Sequence, residues 1–115
     1  MKSKKEILHD KIEERSAQKA KRFRDDILTI CKTPEGRRFI FWTLKECGIF
    51  QTGFADPERL TYAEGMREIG VKIFNHVMEY CPEKFIQMLK ENKAEVTIDK
   101  RLAEELKAEN AEDLL

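Results

Sequence analysis

The sequence predicts an all-α fold, a small antiparallel helical bundle, from three observations. Apolar residues recur at steps of three and four along most of the chain, which is the spacing of one helical face. Pro34, Pro57 and Pro82 each stand where a helix would begin. No alternation of apolar and polar residues is long enough for a sheet.

The first helix is predicted over residues 4–31, since glycine and proline are both absent before Pro34. Its apolar stripe is sparse before Ala20 and regular after it. The first half offers too little apolar surface to pack within the monomer, and a lone helix of this kind is marginal in water. We therefore expect another chain to order it.

The second helix is predicted over residues 34–47, with Thr33 as N-cap and Gly48 ending it. In the loop that follows, residues 48–56, Phe50 and Phe54 are expected to fold inward and close the end of the bundle.

The third helix is predicted over residues 57–80, opened by Asp56 as its cap, and the fourth over residues 82–92. Residues 93–99 are predicted to form a linker, briefly extended at Val96–Ile98. Asp99 then caps a weak C-terminal helix, residues 100–113, whose apolar content is thin.

The predicted core is centred on the run from Phe39 to Trp42, which is apolar on nearly every side of a helix and is therefore expected to be buried. Glycine in a helix costs about 1 kcal/mol relative to alanine, so Gly65 and Gly70 predict a close helix–helix approach. At Gly36, near a helix start, glycine should cost little. The predicted core residues are Phe39, Trp42, Phe50, Phe54, Gly65, Gly70, Phe74 and Phe85.

Arg37 and Arg67 flank this aromatic centre, and arginines buried in a core pair with carboxylates. Glu64, Glu68 and Glu46 are within reach, and we assign Glu64 as the partner in an ion pair that joins the second and third helices. An interface role for the two arginines is the alternative.

The length of 115 residues predicts one domain, and the 22 basic and 22 acidic residues cancel. The charge is nevertheless uneven along the chain, being positive before residue 30 and negative after residue 91. We predict a charged N-terminal arm (1–22), a helical core domain (23–92) and an acidic C-terminal arm (93–115).

Signals for catalysis are almost absent, because the chain has no phosphate-binding glycine loop, nucleophile elbow or HExxH pair. His76 is expected to make an interhelical hydrogen bond or lie at the surface. Cys31, Cys47 and Cys81 have no metal-ligand spacing and are expected to be reduced thiols. We expect a soluble protein made in the cytoplasm, with no enzyme activity, cofactor, metal, small-molecule ligand or membrane partner.

One basic stretch could touch phosphates, although Asp25 and Asp26 follow it directly. Phe23 in this stretch fits the apolar stripe better than it fits a base-stacking role. The candidate partner or nucleic-acid contacts are Lys19, Lys21, Arg22 and Arg24.

The centre of the chain resembles a small domain of tailed, podovirus-like phages, the Bordetella-phage-type family, encoded near portal and capsid genes. The resemblance covers about residues 23–91 and includes neither arm. Two departures are Met66–Ile69, where the pattern usually has Arg-Arg-Asn-Val, and Phe85, where tyrosine is common. The matching residues are Gly36, Arg37, Phe39, Trp42, Cys47, Gly48, Phe50, Phe54, Glu64, Gly65, Arg67, Gly70, Pro82, Phe85 and Met88.

This resemblance implies a virion or morphogenesis protein with no catalytic residues, whose partners are other phage structural proteins. We expect a multicopy internal, portal-associated or tail-associated component of the virion, possessing arms of opposite charge that could meet in a head-to-tail ring. The alternatives are an adaptor that presents its N-terminal helix to a host or phage groove, and an accessory protein that contacts DNA weakly.

Overall fold

The computed structural model describes residues 1–51 and 57–114, apart from the side chain of Glu58. Over these residues the chain forms four helices: α1 (Lys4–Lys32), α2 (Pro34–Glu46), α3 (Pro57–Tyr80) and α4 (Pro82–Asp113). No strand occurs among them, so the predicted all-α fold is confirmed. None of the four helices is long and apolar enough to cross a bilayer.

Local capping chemistry sets the ends of the first two helices. The Ser3 hydroxyl accepts a hydrogen bond from the Glu6 amide at 3.2 Å and begins α1. The Thr33 hydroxyl accepts one from the Gly36 amide at 3.0 Å and begins α2, with Pro34 in its first turn. Gly48 ends α2 with a φ of +76°, a left-handed conformation that glycine adopts without steric cost.

The predicted linker at residues 93–99 is wrong, because α4 runs unbroken through it. Val96 and Ile98 are poorer helix formers than alanine, but each costs well under about 1 kcal/mol. The Thr97 hydroxyl donates to the Lys93 carbonyl at 2.9 Å, which satisfies it within the helix. No glycine or proline follows Pro82, so nothing stops the helix, and Asp99 lies in its interior rather than at a cap.

The core is a small cluster where the four helices meet, at the end of α1 and the beginning of α4. Phe74 and Phe85 pack beside it as predicted, with their rings 5.0 Å apart. The ring of Phe50 lies 5.4 Å from Phe41 and 6.2 Å from Phe85, but Phe50 is 44% exposed and is not the buried core residue that was predicted. Phe54 lies outside the described residues. The cluster consists of Ile27, Cys31, Ile40, Phe41, Leu44, Val77, Cys81 and Met88.

The molecule is long and thin, with extents of 92 × 38 × 17 Å. At 1.5 Å per residue, α1 is about 44 Å long and α4 about 48 Å. Neither spans the long axis alone, so the two helices must leave the core toward opposite ends. The N-terminal arm (residues 1–22) and the C-terminal arm (residues 93–114) are exposed at every residue.

Two helical glycines, Gly36 and Gly70, have no room for a side chain, whereas the predicted pair was Gly65 and Gly70. A Cβ at Gly70 would lie 2.5 Å from the Cys47 Cβ, as expected of a close helix approach. A Cβ at Gly65 would meet nothing within 4 Å, so the prediction of close packing there is wrong. Gly36 was expected only to cost little near a helix start, yet a Cβ there would overlap the Ile30 carbonyl oxygen at the end of α1.

Substitution of these glycines by alanine should therefore give three different results in urea melts. Gly65→Ala should stabilise the fold by about 0.5–1 kcal/mol through helix propensity alone. Gly70→Ala should destabilise it by about 1–3 kcal/mol through overpacking against Cys47. Gly36→Ala should cost at least as much, since the obstacle is backbone. Equal midpoints for Gly65→Ala and Gly36→Ala would contradict this placement.

Candidate interaction surfaces

The side chain of Arg37 is the one buried charge among the described residues, with only 7% of it exposed. Its Nε donates to Glu91 Oε1 in α4 at 2.8 Å. One terminal nitrogen donates to the carbonyls of Cys31 at 3.1 Å and Lys32 at 2.9 Å, at the C-terminus of α1. A positive group at that end complements the helix dipole and satisfies carbonyls that have no partner in the helix. One guanidinium thus joins α1, α2 and α4.

The predicted partner of Arg37 is wrong, since Glu64 is exposed on α3 and pairs with neither arginine in the described structure. Arg67 instead donates to the Gly48 carbonyl at 3.3 Å, at the exposed end of α2. Both arginines do join helices, but Arg37 does so through Glu91 in α4 and Arg67 does so through the backbone carbonyl of Gly48.

Phe39 and Trp42 form an exposed aromatic patch on the outer face of α2. Phe39 is 62% exposed and Trp42 is 52% exposed, and their rings lie 6.0 Å apart. The prediction that both lie in the core is wrong for the monomer, because Ile40, Phe41 and Leu44 take the inward face. Truncating Trp42 should therefore cost the monomer far less than the 3–5 kcal/mol typical of a core aromatic. Exposed tryptophan is enriched at the centres of protein interfaces.

A shallow cleft of 140 Å³ separates this aromatic patch from α4. Trp42 and Arg38 line it from α2, and Glu91 and Glu95 line it from α4. The buried Arg37 is also among its lining residues. The cleft combines an aromatic wall with charges of both signs, which suits a protein segment better than a polyanion.

The basic stretch of α1 is exposed at Lys19, Lys21, Arg22 and Arg24. Arg24 lies 3.6 Å from Asp25, so part of its charge is neutralised locally. Lys21 and Arg24 line an open depression together with Tyr80 of α3. Phe23 meets His76 edge-on at 4.9 Å, which places it against α3 rather than free to stack on a base.

Three side chains that could carry chemistry, those of His76, Cys31 and Cys81, are instead packed against other residues. His76 stacks on Tyr80 at 5.9 Å as well as meeting Phe23, and its Nδ1 has no hydrogen-bond partner among the described residues. It therefore packs against aromatics rather than making the expected interhelical hydrogen bond.

Burial raises the pKa of Cys31 to about 11, with a further contribution from Cys81 beside it. Burial also raises the pKa of Cys81. Both thiols stay protonated at neutral pH, so neither is a nucleophile.

His9, Asp10 and Glu13 bring three metal-ligating groups together on α1, a cluster that spacing rules for cysteine and histidine do not detect. All three are exposed. Asp10 already pairs with Lys2 at 2.6 Å, and His9 lies 3.5 Å from Glu13. Exposed pairs of this kind contribute little, and the cluster resembles an ordinary charged helix face.

Sequence reasoning missed Glu91, the partner of the buried guanidinium. A signal was present, since Glu91 lies three residues beyond Met88 on the inward face of the fourth helix. An acidic residue continuing an apolar stripe suggests a buried cation opposite.

A protein-family model described as "Bbp19-like phage protein" matches residues 28–90 of this chain. The match covers α2 with its aromatic patch and nearly all of the core. It ends before Glu91 and Glu95, which line the cleft from α4, and it leaves out both arms. No curated protein and no solved structure matches the chain.

Removing the buried guanidinium should destabilise the fold more than removing its exposed neighbour. Arg37→Met leaves Glu91 and two α1 carbonyls without their donor, and we expect a loss of about 3 kcal/mol in the free energy of unfolding. Arg38→Met is the matched control and should change it by no more than about 0.5 kcal/mol. Urea titrations followed by circular dichroism measure both, and similar losses for the two variants would refute the assigned role.

Proposed function

Because this chain belongs to the Bbp19-like phage protein family, we propose that it is a non-enzymatic structural or morphogenesis protein of the phage particle. It would act by holding other proteins in place. The observation that carries this proposal is the amount of helix left without a partner in the monomer: both arms are exposed at every described residue.

The physical chemistry of the arms supports an assembled state. A helix of about 20 residues with few apolar side chains gains little from propensity alone and is marginal in water. Ile12, Leu102 and Leu106 are each more than half exposed along these arms. A subunit surrounded by neighbours would cover such residues and so stabilise the helices.

The aromatic patch supports the same role at the centre of the molecule. Phe39 and Trp42 lie within the segment that the family model matches, whereas both arms lie entirely outside it. We infer that the patch serves a contact with another structural protein of the particle, in a multicopy internal, portal-associated or tail-associated position. The protein would be made in the host cytoplasm and carried in the virion.

Mass spectrometry of gradient-purified particles should find this protein at many copies relative to a capsid standard. Material of the same density from uninfected cells is the control for adventitious binding. A wash at high salt should not remove the protein if it is built into the particle. Absence from washed particles would overturn the structural role and favour an adaptor that acts only during infection.

DNA contact is the second candidate, favoured by one specific observation: Lys21 and Arg24 line an open depression together with Tyr80. Basic side chains beside an aromatic ring are the usual elements of a sequence-independent nucleic-acid surface.

The DNA candidate predicts a salt-sensitive affinity that depends on this surface. A triple variant, Lys21→Ala, Arg22→Ala and Arg24→Ala, should lower the slope of log affinity against log salt by up to about 3. The matched control neutralises Lys2, Lys4 and Lys5 on the same arm, which removes equal charge away from Tyr80. Fluorescence anisotropy with a labelled duplex measures both, and equal losses would show a non-specific charge effect.

A further inference from the structure

The two arms carry the same helical spacing along one face. In each arm, the six positions of one helical face, taken at alternating steps of three and four, hold two apolar residues and four charges of a single sign. This seven-residue spacing is the one that places a helical face against a partner helix. In the N-terminal arm the six are Lys5, Leu8, Ile12, Arg15, Lys19 and Arg22. In the C-terminal arm they are Glu95, Ile98, Leu102, Glu105, Glu109 and Glu112.

From this spacing we propose that the N-terminal arm of one copy pairs in parallel with the C-terminal arm of a second copy. The inference rests on the proposed structural role and names the partner of the arms as this same chain. Taken in order, the six positions of the two arms are complementary throughout. Four pairs are oppositely charged and two are apolar: Lys5 with Glu95, Leu8 with Ile98, Ile12 with Leu102, Arg15 with Glu105, Lys19 with Glu109, and Arg22 with Glu112.

All twelve side chains are available for such a contact. Each of these residues is exposed. None takes part in the ion pairs found among residues 1–51 and 57–114. Among the described residues, the charged positions of the two arms therefore form no ion pair within their own chain, and the apolar positions are exposed.

The alternative pairings are disfavoured by the same residues. Two N-terminal arms in register would place like charges opposite each other at four of the six positions, and so would two C-terminal arms. If the two arms ran in opposite directions, Leu8 would face Glu109 and Ile12 would face Glu105. Like-charge and apolar–charged juxtapositions select against wrong partners and registers.

The shape of the molecule requires that the pairing occur between copies. The arms leave opposite ends of a molecule 92 Å long, so those of one chain cannot meet. Helix α1 runs toward its core and α4 runs away from it, and two copies overlapping end to end therefore bring their arms together in parallel. Such head-to-tail contacts form a ring if the rotation closes and a filament if it does not.

Charged residues at seam positions set the register and lower the affinity. The contact is therefore expected to be weak at low protein concentration, strengthened by multiple copies in an assembly, and weakened by salt.

Charge reversal in full-length protein tests the pairing directly. One variant carries Arg15→Glu, Lys19→Glu and Arg22→Glu, and the other carries Glu105→Lys, Glu109→Lys and Glu112→Lys. Each variant alone sets like charges against each other and should associate about tenfold or more weakly than the parent. A mixture of the two restores opposite charges at both contacts, so association should return. Sedimentation velocity at low salt measures all four samples. Unchanged association of the single variants, or no recovery in the mixture, would overturn the proposal.

Cysteine cross-linking tests the register and direction. Arg15→Cys mixed with Glu105→Cys under glutathione disulfide should yield a cross-linked dimer. Arg15→Cys mixed with Leu102→Cys, which would be neighbours only if the arms ran in opposite directions, should yield little. The native cysteines are buried and common to every sample. Equal yields in the two mixtures would refute the parallel register. Both experiments use purified protein, so their failure leaves incorporation into particles untouched, and absence from particles leaves these results standing.

Discussion

The fold depends on the placement of one buried guanidinium. Arg37 lies where α1 ends, α2 begins and α4 passes, and its hydrogen bonds reach all three. Burying a charge is costly unless it is paired and hydrogen-bonded, and here a carboxylate and two helix-end carbonyls accept hydrogen bonds from Arg37. The apolar cluster around it is small, so this polar junction determines how the helices are oriented as well as how firmly they are held.

The helices could be predicted from sequence because their signals are local. Thr33 with Pro34 and the left-handed Gly48 fix the ends of α2 through contacts a few residues apart. The end of the fourth helix could not be read this way. Val96 to Ile98 resembles a strand by propensity, but the cost of a helix there is a few tenths of a kcal/mol per residue. Continuation from an already formed helix outweighs it.

The contacts between helices were less predictable, for geometric reasons. The run from Phe39 to Trp42 covers most of the circumference of α2, yet a helix lying on one core can bury only the side that faces it. Which apolar residues of α2 stay exposed depends on the rotation of this helix about its axis. Arg37 lies on the inward side of α2 and pairs with Glu91, 54 residues later in the chain. Residue spacing within one helix cannot predict a pair of this kind. The charge pattern of the two arms is the opposite case, because it can be read within each helix from residues three and four positions apart.

The absence of any break in α4 has a mechanical consequence. Glu91, which accepts a hydrogen bond from Arg37, and the exposed tip near Asp113 belong to one continuous helix. The helix between Glu91 and Asp113 is about 33 Å long, at a rise of 1.5 Å per residue. A neighbour that tilts the tip therefore applies a torque at the junction where Arg37 joins three helices. A change in the direction of the C-terminal arm is therefore transmitted to the core, because α4 has no hinge to absorb it.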